Sequence, residues 1–132
     1  MIYLDANIFI YALGNIDNKT KACIKILDKI ANAEIEAYTS LLTWDEFLYV
    51  IKKQMSREKA TSESKKFLNF PNLNFIEVDE AVVFKAQQLV SKYNLKPRDA
   101  IHAASALVND VKEIISDDPD FDKVKEIKRV KI

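Results

Sequence analysis

The stretch MIYLDANIFIYAL, Met1 to Leu13, decides the fold. The short run Met1–Leu4 is mostly apolar, lacks alternation and stops at an acid, Asp5. That is how a strand buried on both faces of a parallel sheet reads. Asn7–Leu13 follows as a short helix, so strand passes to helix almost without a loop.

The same alternation continues outward from this start. Lys19–Ala33 sets Ala22, Ile26, Ile30 and Ala33 at helical spacing, and Glu36–Thr39 is a second strand. Leu41–Gln54 reads as a helix with Leu41, Phe47, Leu48 and Ile51 as its apolar stripe. Ser56 opens another helix that runs to Asn69, and Pro71-Asn72 makes a turn. Asn74–Val78 is a third strand, and Asp79 caps a helix running to Tyr93. Pro97 stands in the first turn of a helix ending near Asn109. Glu113–Ser116 is a fourth strand and Ile127–Ile132 a candidate fifth. Strands separated by helices predict a mostly parallel central sheet covered on both faces, a three-layer α/β/α sandwich. With no Gly/Ser linker, repeat or low-complexity tract, residues 1–132 read as a single domain.

Composition narrows the function classes. At 132 residues, 48% hydrophobic and 30% charged, the chain can bury a core without covalent staples. Its single cysteine, Cys23, excludes an intramolecular disulfide and agrees with a reducing, cytoplasmic setting. The apolar start carries Asp5 within it and lacks a basic leader, so neither a signal peptide nor a membrane span is expected. The 20 basic and 20 acidic residues cancel, so no bulk field points to nucleic acid. Lysines do cluster in residues 19–29 and 52–66 and in the tail KVKEIKRVKI, which suits solvated helix faces. With one histidine and one cysteine the chain has no His/Cys set with zinc spacing.

The acids carry the chemistry. Asp5 follows the first strand and Asp117-Asp118 follow the fourth. In open α/β sheets the C-terminal strand ends form the ligand crevice, so residues distant in sequence meet there. One of Asp45 and Glu46 interrupts an apolar helix face, and Asp99 begins the helix PRDAIHAASALV. Clustered carboxylates repel and take up protons or hard cations. Mg²⁺ and Mn²⁺ favour all-oxygen ligands. Each acid also has a plainer role: Asp5 as a helix cap, Asp99 as a helix-start charge, and SDDPDFD as a solvated turn. His102, on an apolar helix face, reads as a packed structural residue, and Tyr11, Trp44 and Tyr49 as core aromatics that would otherwise suit base stacking.

Four blocks in order resemble the motifs of PIN-domain ribonucleases: DANIFI from Asp5, TWDEF from Thr43, PRDAIHAA from Pro97 and ISDDPDFD from Ile115. They span nearly the whole chain, and the third and fourth together are the specific ones. The resemblance, strongest to VapC-type toxins, implies an acidic tetrad of Asp5, Glu46, Asp99 and Asp118 holding Mg²⁺ or Mn²⁺. Counting back from Phe121 selects Asp118, whereas counting from the strand end would select Asp117. Asn7, Asp117, Asp120 and a hydroxyl at Thr39, Ser40 or Ser116 would support those ligands. It further implies hydrolysis of RNA phosphodiesters by metal-activated water, an antitoxin partner and a homodimer.

Two other classes share parts of the pattern. A HAD-like phosphotransferase also opens on strand-Asp-x-Asp, but Asn7 stands where its second acid belongs. A PIN-like RNA-binding module with a lapsed metal site would have lost acids that are present here.

Overall fold

The computed structural model describes residues 1–14 and 17–132. In chain order the elements are β1 (Ile2–Leu4), α1 (Ala6–Ala12), α2 (Asn18–Ala31), β2 (Ala37–Ser40), α3 (Leu42–Gln54) and α4 (Arg57–Leu68). They continue as β3 (Leu73–Ile76), α5 (Glu80–Tyr93), α6 (Pro97–Val108), β4 (Glu113–Ile115), a 3-10 turn (Pro119–Lys123) and β5 (Lys128–Val130). The strands form one sheet in the order β3-β2-β1-β4-β5, with every pairing parallel. β1 sits at the centre, its Ile2 in register with Ala37 on one side and its Leu4 with Ile115 on the other.

Side-chain alternation explains the two helical layers. Successive strand residues point to opposite faces. Tyr3 and Ile114 go to the face covered by α5 and α6, packing with Val82, Leu89 and Ala103. Leu4 and Ile115 go to the face covered by α1 to α4, packing with Ile8, Ile30, Phe47 and Phe67. A strand flanked by helices on both sides must be apolar at every position, as the opening run is. The α/β/α sandwich expected from the sequence is therefore the fold.

Local chemistry sets the helix ends. Asp17, Ser56 and Asp79 each cap a helix, accepting from the amides of Thr20 (2.7 Å), Lys59 (3.2 Å) and Val82 (3.0 Å). The second helix stops at Ala31 rather than Ala33, because Ala33 has turned left-handed at φ 59°. Its buried face is accordingly Thr20, Cys23 and Ile30. The third strand covers Leu73–Ile76, ending short of Val78, which is exposed. Leu41 is exposed too and does not belong to the apolar stripe of α3. The buried positions there are Thr43, Phe47 and Ile51. Leu41 precedes Thr43 by two residues, about 200° around a helix, and so faces the solvent side. No helix of the described residues is long and apolar enough to cross a membrane.

Candidate active site

Asp5 is the first residue past β1, and its position is fixed from three directions. Its amide donates to the Ile115 carbonyl at 3.2 Å, which continues the β1–β4 ladder. Its Oδ1 accepts from the Ala6 amide at 2.7 Å, so the expected helix-capping role is real. Its Oδ2 accepts from the Ser116 hydroxyl at 2.6 Å, the first residue past the neighbouring strand. Asp5 is nevertheless buried, and that burial, reinforced by the charge of Glu46, pushes its carboxyl up from the ordinary range. His102 and the Ser116 and Ala6 hydrogen bonds pull the other way without cancelling it.

The loop after β4 folds back on itself to aim its acids. The Asp118 amide donates to the Ser116 hydroxyl at 3.0 Å, and Asp118 Oδ1 accepts from the Asp120 amide at 2.9 Å. Phe121 is wholly buried and anchors the turn from below. Arg129 of β5 clamps it from the side, donating to both Asp122 oxygens at 2.9 and 3.0 Å and to the Ser116 carbonyl at 3.1 Å. This tight turn brings Asp118 and Asp120 to Asp99, which sits in the first turn of α6. One oxygen from each of these three residues lies within 4.8 Å of the other two.

Glu46, from α3, and Asp99 and Asp118 line one open crevice with Lys96, Pro97 and Arg98. Of the two adjacent acids on α3, Glu46 turns inward and Asp45 outward. Asp45 is largely exposed and pairs with Arg98 at 3.7 Å. The Asp99 carboxyl is pushed up to about 6, first by burial and then by the charges of Asp118 and Asp5. Like charges brought this close favour either a shared proton or a cation between them. An all-oxygen set of half-buried carboxylates suits a hard divalent ion.

Not every residue named from the sequence faces that cluster. Asp117 turns away and forms an ion pair with Lys19 at the start of α2. Asp120, expected only in support, is instead one of the three clustered acids. Asn7 is half-buried in the first turn of α1. Among the candidate hydroxyls, Ser116 touches a site acid. Thr39 donates to the Leu4 carbonyl and meets Thr43, while the Ser40 hydroxyl accepts from the Leu42 amide. The aromatics expected in the core separate: Tyr11 is half-buried, but Trp44 and Tyr49 are 39% and 58% exposed. Both lie off the Thr43–Phe47–Ile51 face of α3, which is the buried one.

His102 is wholly buried with both ring nitrogens engaged, as a packed histidine should be. One partner is a site acid, Glu46, which the sequence reading did not anticipate. The readable sign was spacing: His102 lies three residues after Asp99, on the same helix face. Burial lowers the affinity of this ring for a proton. The Glu46 hydrogen bond and charge, with Asp5 and Asp99, outweigh that and leave its pKa raised.

A parallel α/β/α domain that sets Asp99, Asp118 and Asp120 together beside Glu46, with Asp5 outside that cluster but near enough for its charge to act on Asp99, defines an acid-crevice protein. Comparison with known proteins gives the family: the PIN domain model matches residues 2–127, and the chain belongs to that family. Ribonuclease VapC2 of Methanocaldococcus jannaschii is 26% identical over 136 residues, covering 93% of this chain and 88% of the relative. The fold matches VapBC2 of Rickettsia felis, solved bound to a DNA fragment from its promoter, with a TM-score of 0.77 at 20% identity, covering 99% of this chain and 98% of that one. It also matches Mycobacterium tuberculosis VapC20, described as a sarcin-ricin loop cleaving toxin, with a TM-score of 0.77 at 11% identity and 95% of each chain covered.

Proposed function

We propose that this chain is a Mg²⁺- or Mn²⁺-dependent endoribonuclease, the toxin of a VapBC-type toxin–antitoxin pair. The observation that carries the reading is the cluster of Asp99, Asp118 and Asp120 beside Glu46, with Asp5 following the C-terminal end of the central strand β1. Asp5, Glu46, Asp99 and Asp118 would hold the ion, with Asp120 beside them and Ser116 and Asn7 in support. A bound divalent ion supplies Lewis acidity for phosphodiester hydrolysis. Asp117 would act on the site only indirectly, by tethering Lys19.

The remaining roles fall to the rim. Lys96 and Arg98 flank the acids and would contact RNA phosphates, which makes binding fall with salt. Tyr49 is exposed on α3 and offers a face on which an unpaired base stacks. On the α1–α4 side an apolar groove of about 420 Å³, lined by Phe9, Leu13, Leu27, Phe47, Phe67 and Phe70, suits the apolar side chains of an antitoxin. The exposed Leu41 and Trp44 at the head of α3 suit a homodimer contact. A lone buried thiol at Cys23 fits a cytoplasmic protein.

The test is cleavage of a structured RNA with Mn²⁺ or Mg²⁺, with and without EDTA, by wild type and Asp118→Asn. Cleavage that EDTA stops and the substitution cripples is expected. Cleavage indifferent to EDTA would refute the metal-dependent reading, and metal binding without any cleavage would favour a lapsed RNA-binding module.

A further inference from the structure

We propose that His102, held by the buried hydroxyl of Tyr3, is a positioning residue. It fixes Glu46 in the acidic crevice through one carboxylate oxygen, leaving the other for the ion. The inference rests on the metal-nuclease reading and names a part of its machinery that acts through Glu46.

The hydrogen bonds assign the direction of the relay. The Tyr3 oxygen accepts the Ser40 amide at 3.0 Å and lies 2.6 Å from Nδ1 of the His102 ring. In its neutral form that ring has one proton to give, and the Glu46 carboxylate at Nε2 can only accept. Nδ1 is then the acceptor, and the other nitrogen, Nε2, carries the proton toward Glu46 Oε1. Tyr3 and His102 are both wholly buried, and their rings meet edge-on at 5.7 Å and 66°. The imidazole therefore has little freedom to rotate. Glu46 lies on the crevice wall with a partly exposed side chain and several free torsions of its own. Here strand β1, the end of β2 and helix α6 together aim one N–H at one acid of α3.

The chain contains one histidine, so its ring nitrogens can be read by ¹⁵N NMR without assignment. In the neutral ring, whose ¹⁵N shifts identify it, a proton on Nε2 is expected, and a proton on Nδ1 would overturn the inference. Calorimetry with Mn²⁺ alone on the metal-free protein gives the second readout. Tyr3→Phe and His102→Leu should weaken Mn²⁺ binding about tenfold or more, the usual effect of removing a group that orients a metal ligand. His102→Gln, whose amide N–H reaches to a similar place, should recover most of that affinity. In RNA cleavage the loss should appear in kcat with KM little changed. If His102→Leu fails to fold, Tyr3→Phe, which keeps the ring, and His102→Gln still decide the matter. Wild-type affinity in Tyr3→Phe would overturn the inference and leave the nuclease reading standing. A wild type that binds no Mn²⁺ would remove both.

Discussion

Ser116 and Asp5, the residues that end the two central strands β4 and β1, are joined by a 2.6 Å hydrogen bond from hydroxyl to Oδ2. The bond spans 111 positions in sequence, yet it needs only that Leu4 pair with Ile115 in the sheet. Strand register thus delivers both a carboxylate and the group that orients it. The same Ser116 hydroxyl accepts the Asp118 amide, so one residue ties the first and last acids together.

Asp5→Asn should abolish RNA cleavage while leaving the metal-free fold as stable as before, or more so. The amide keeps an oxygen for the Ala6 N–H and meets the Ser116 hydroxyl with a group that can donate to it. The substitution also removes a buried charge whose carboxyl is already pushed up by burial and by Glu46. Losing that charge should weaken ion binding and cost roughly three decades of rate. A residue that merely capped α1 would behave otherwise, since Asn caps about as well as Asp. Cleavage assays beside thermal melts decide it: wild-type activity in the variant would sink the assignment.

Asp117 and Asp118 should separate cleanly. Asp118→Asn removes one of the three clustered acids and should lower both Mn²⁺ affinity and cleavage by two decades or more, on the order of 3 kcal/mol in the barrier. Asp117→Asn breaks an ion pair to Lys19, whose side chain is 46% exposed, and should cost about 1 kcal/mol of stability or less. Its cleavage rate should stay within severalfold of wild type. The reverse ranking, measured on the same RNA, would mean that the strand-end acid is the ligand after all.

The contrast between these neighbours shows what the sequence can and cannot carry. The layered fold was legible because strand burial on both faces leaves unalternated apolar runs, as in Met1–Leu4, and because Asp79 and Pro97 announce helix starts. The crevice that Glu46, Asp99 and Asp118 line was legible for the same reason, since strand ends and apolar faces are readable positions. The final directions of the acids were not. The position of Asp120 depends on the tight turn that Phe121 and Arg129 hold in place, and that turn is made by contacts from β5. The exposure of Leu41, Trp44 and Tyr49 depends on which arc of α3 meets the sheet. A hydrophobic stripe counted along one helix does not contain that information. The Glu46–His102 contact joins residues 56 apart on two helices, beyond any local pattern.

Phe67 should be the most costly aromatic to truncate. It is 4% exposed, stacks on Phe47 at 5.3 Å, and takes the edges or faces of Phe9 at 4.8 Å and Phe75 at 5.3 Å. Phe67→Ala removes the shared member of all three pairs and should cost about 3–5 kcal/mol. The melting temperature should drop by about 10 °C or more. Exposed Tyr49→Ala, on the same layer, should stay within about 1 kcal/mol of wild type. Equal melts for the two variants would show that this cluster is not the core of the α1–α4 layer.

In the metal-free protein Asp99 should subtract stability as pH rises from 4 to about 7, against the exposed Asp17, Asp122 and Glu126, whose lowered carboxyls act the other way. The Asp99 carboxyl titrates near 6 in the fold, against 3.8 for the ordinary group. Below both values it is protonated in folded and unfolded chains alike and contributes no difference. Between them the unfolded chain has ionised while the folded one still holds its proton, so unfolding gains with each step in pH. Above 6 the penalty is complete. A shift of that size would correspond to about 3 kcal/mol for a fully enclosed group, and to roughly 1 kcal/mol once solvent screening of this half-buried one is allowed for. Burial and the charge of Glu46 push Asp5 the same way. The raised pKa of His102 adds stability at low pH that is likewise lost as the ring deprotonates. Asp99→Asn should therefore melt higher than wild type at pH 7.5 without metal, and nearly the same at pH 4. Saturating Mn²⁺ should reverse the order at pH 7.5, because the ion stabilises only the chain that can bind it. Melts of the two proteins at both pH values, with EDTA and with Mn²⁺, test this. An Asp99→Asn variant that melts no higher than wild type at pH 7.5 in EDTA would show that the acids do not repel one another as the geometry requires.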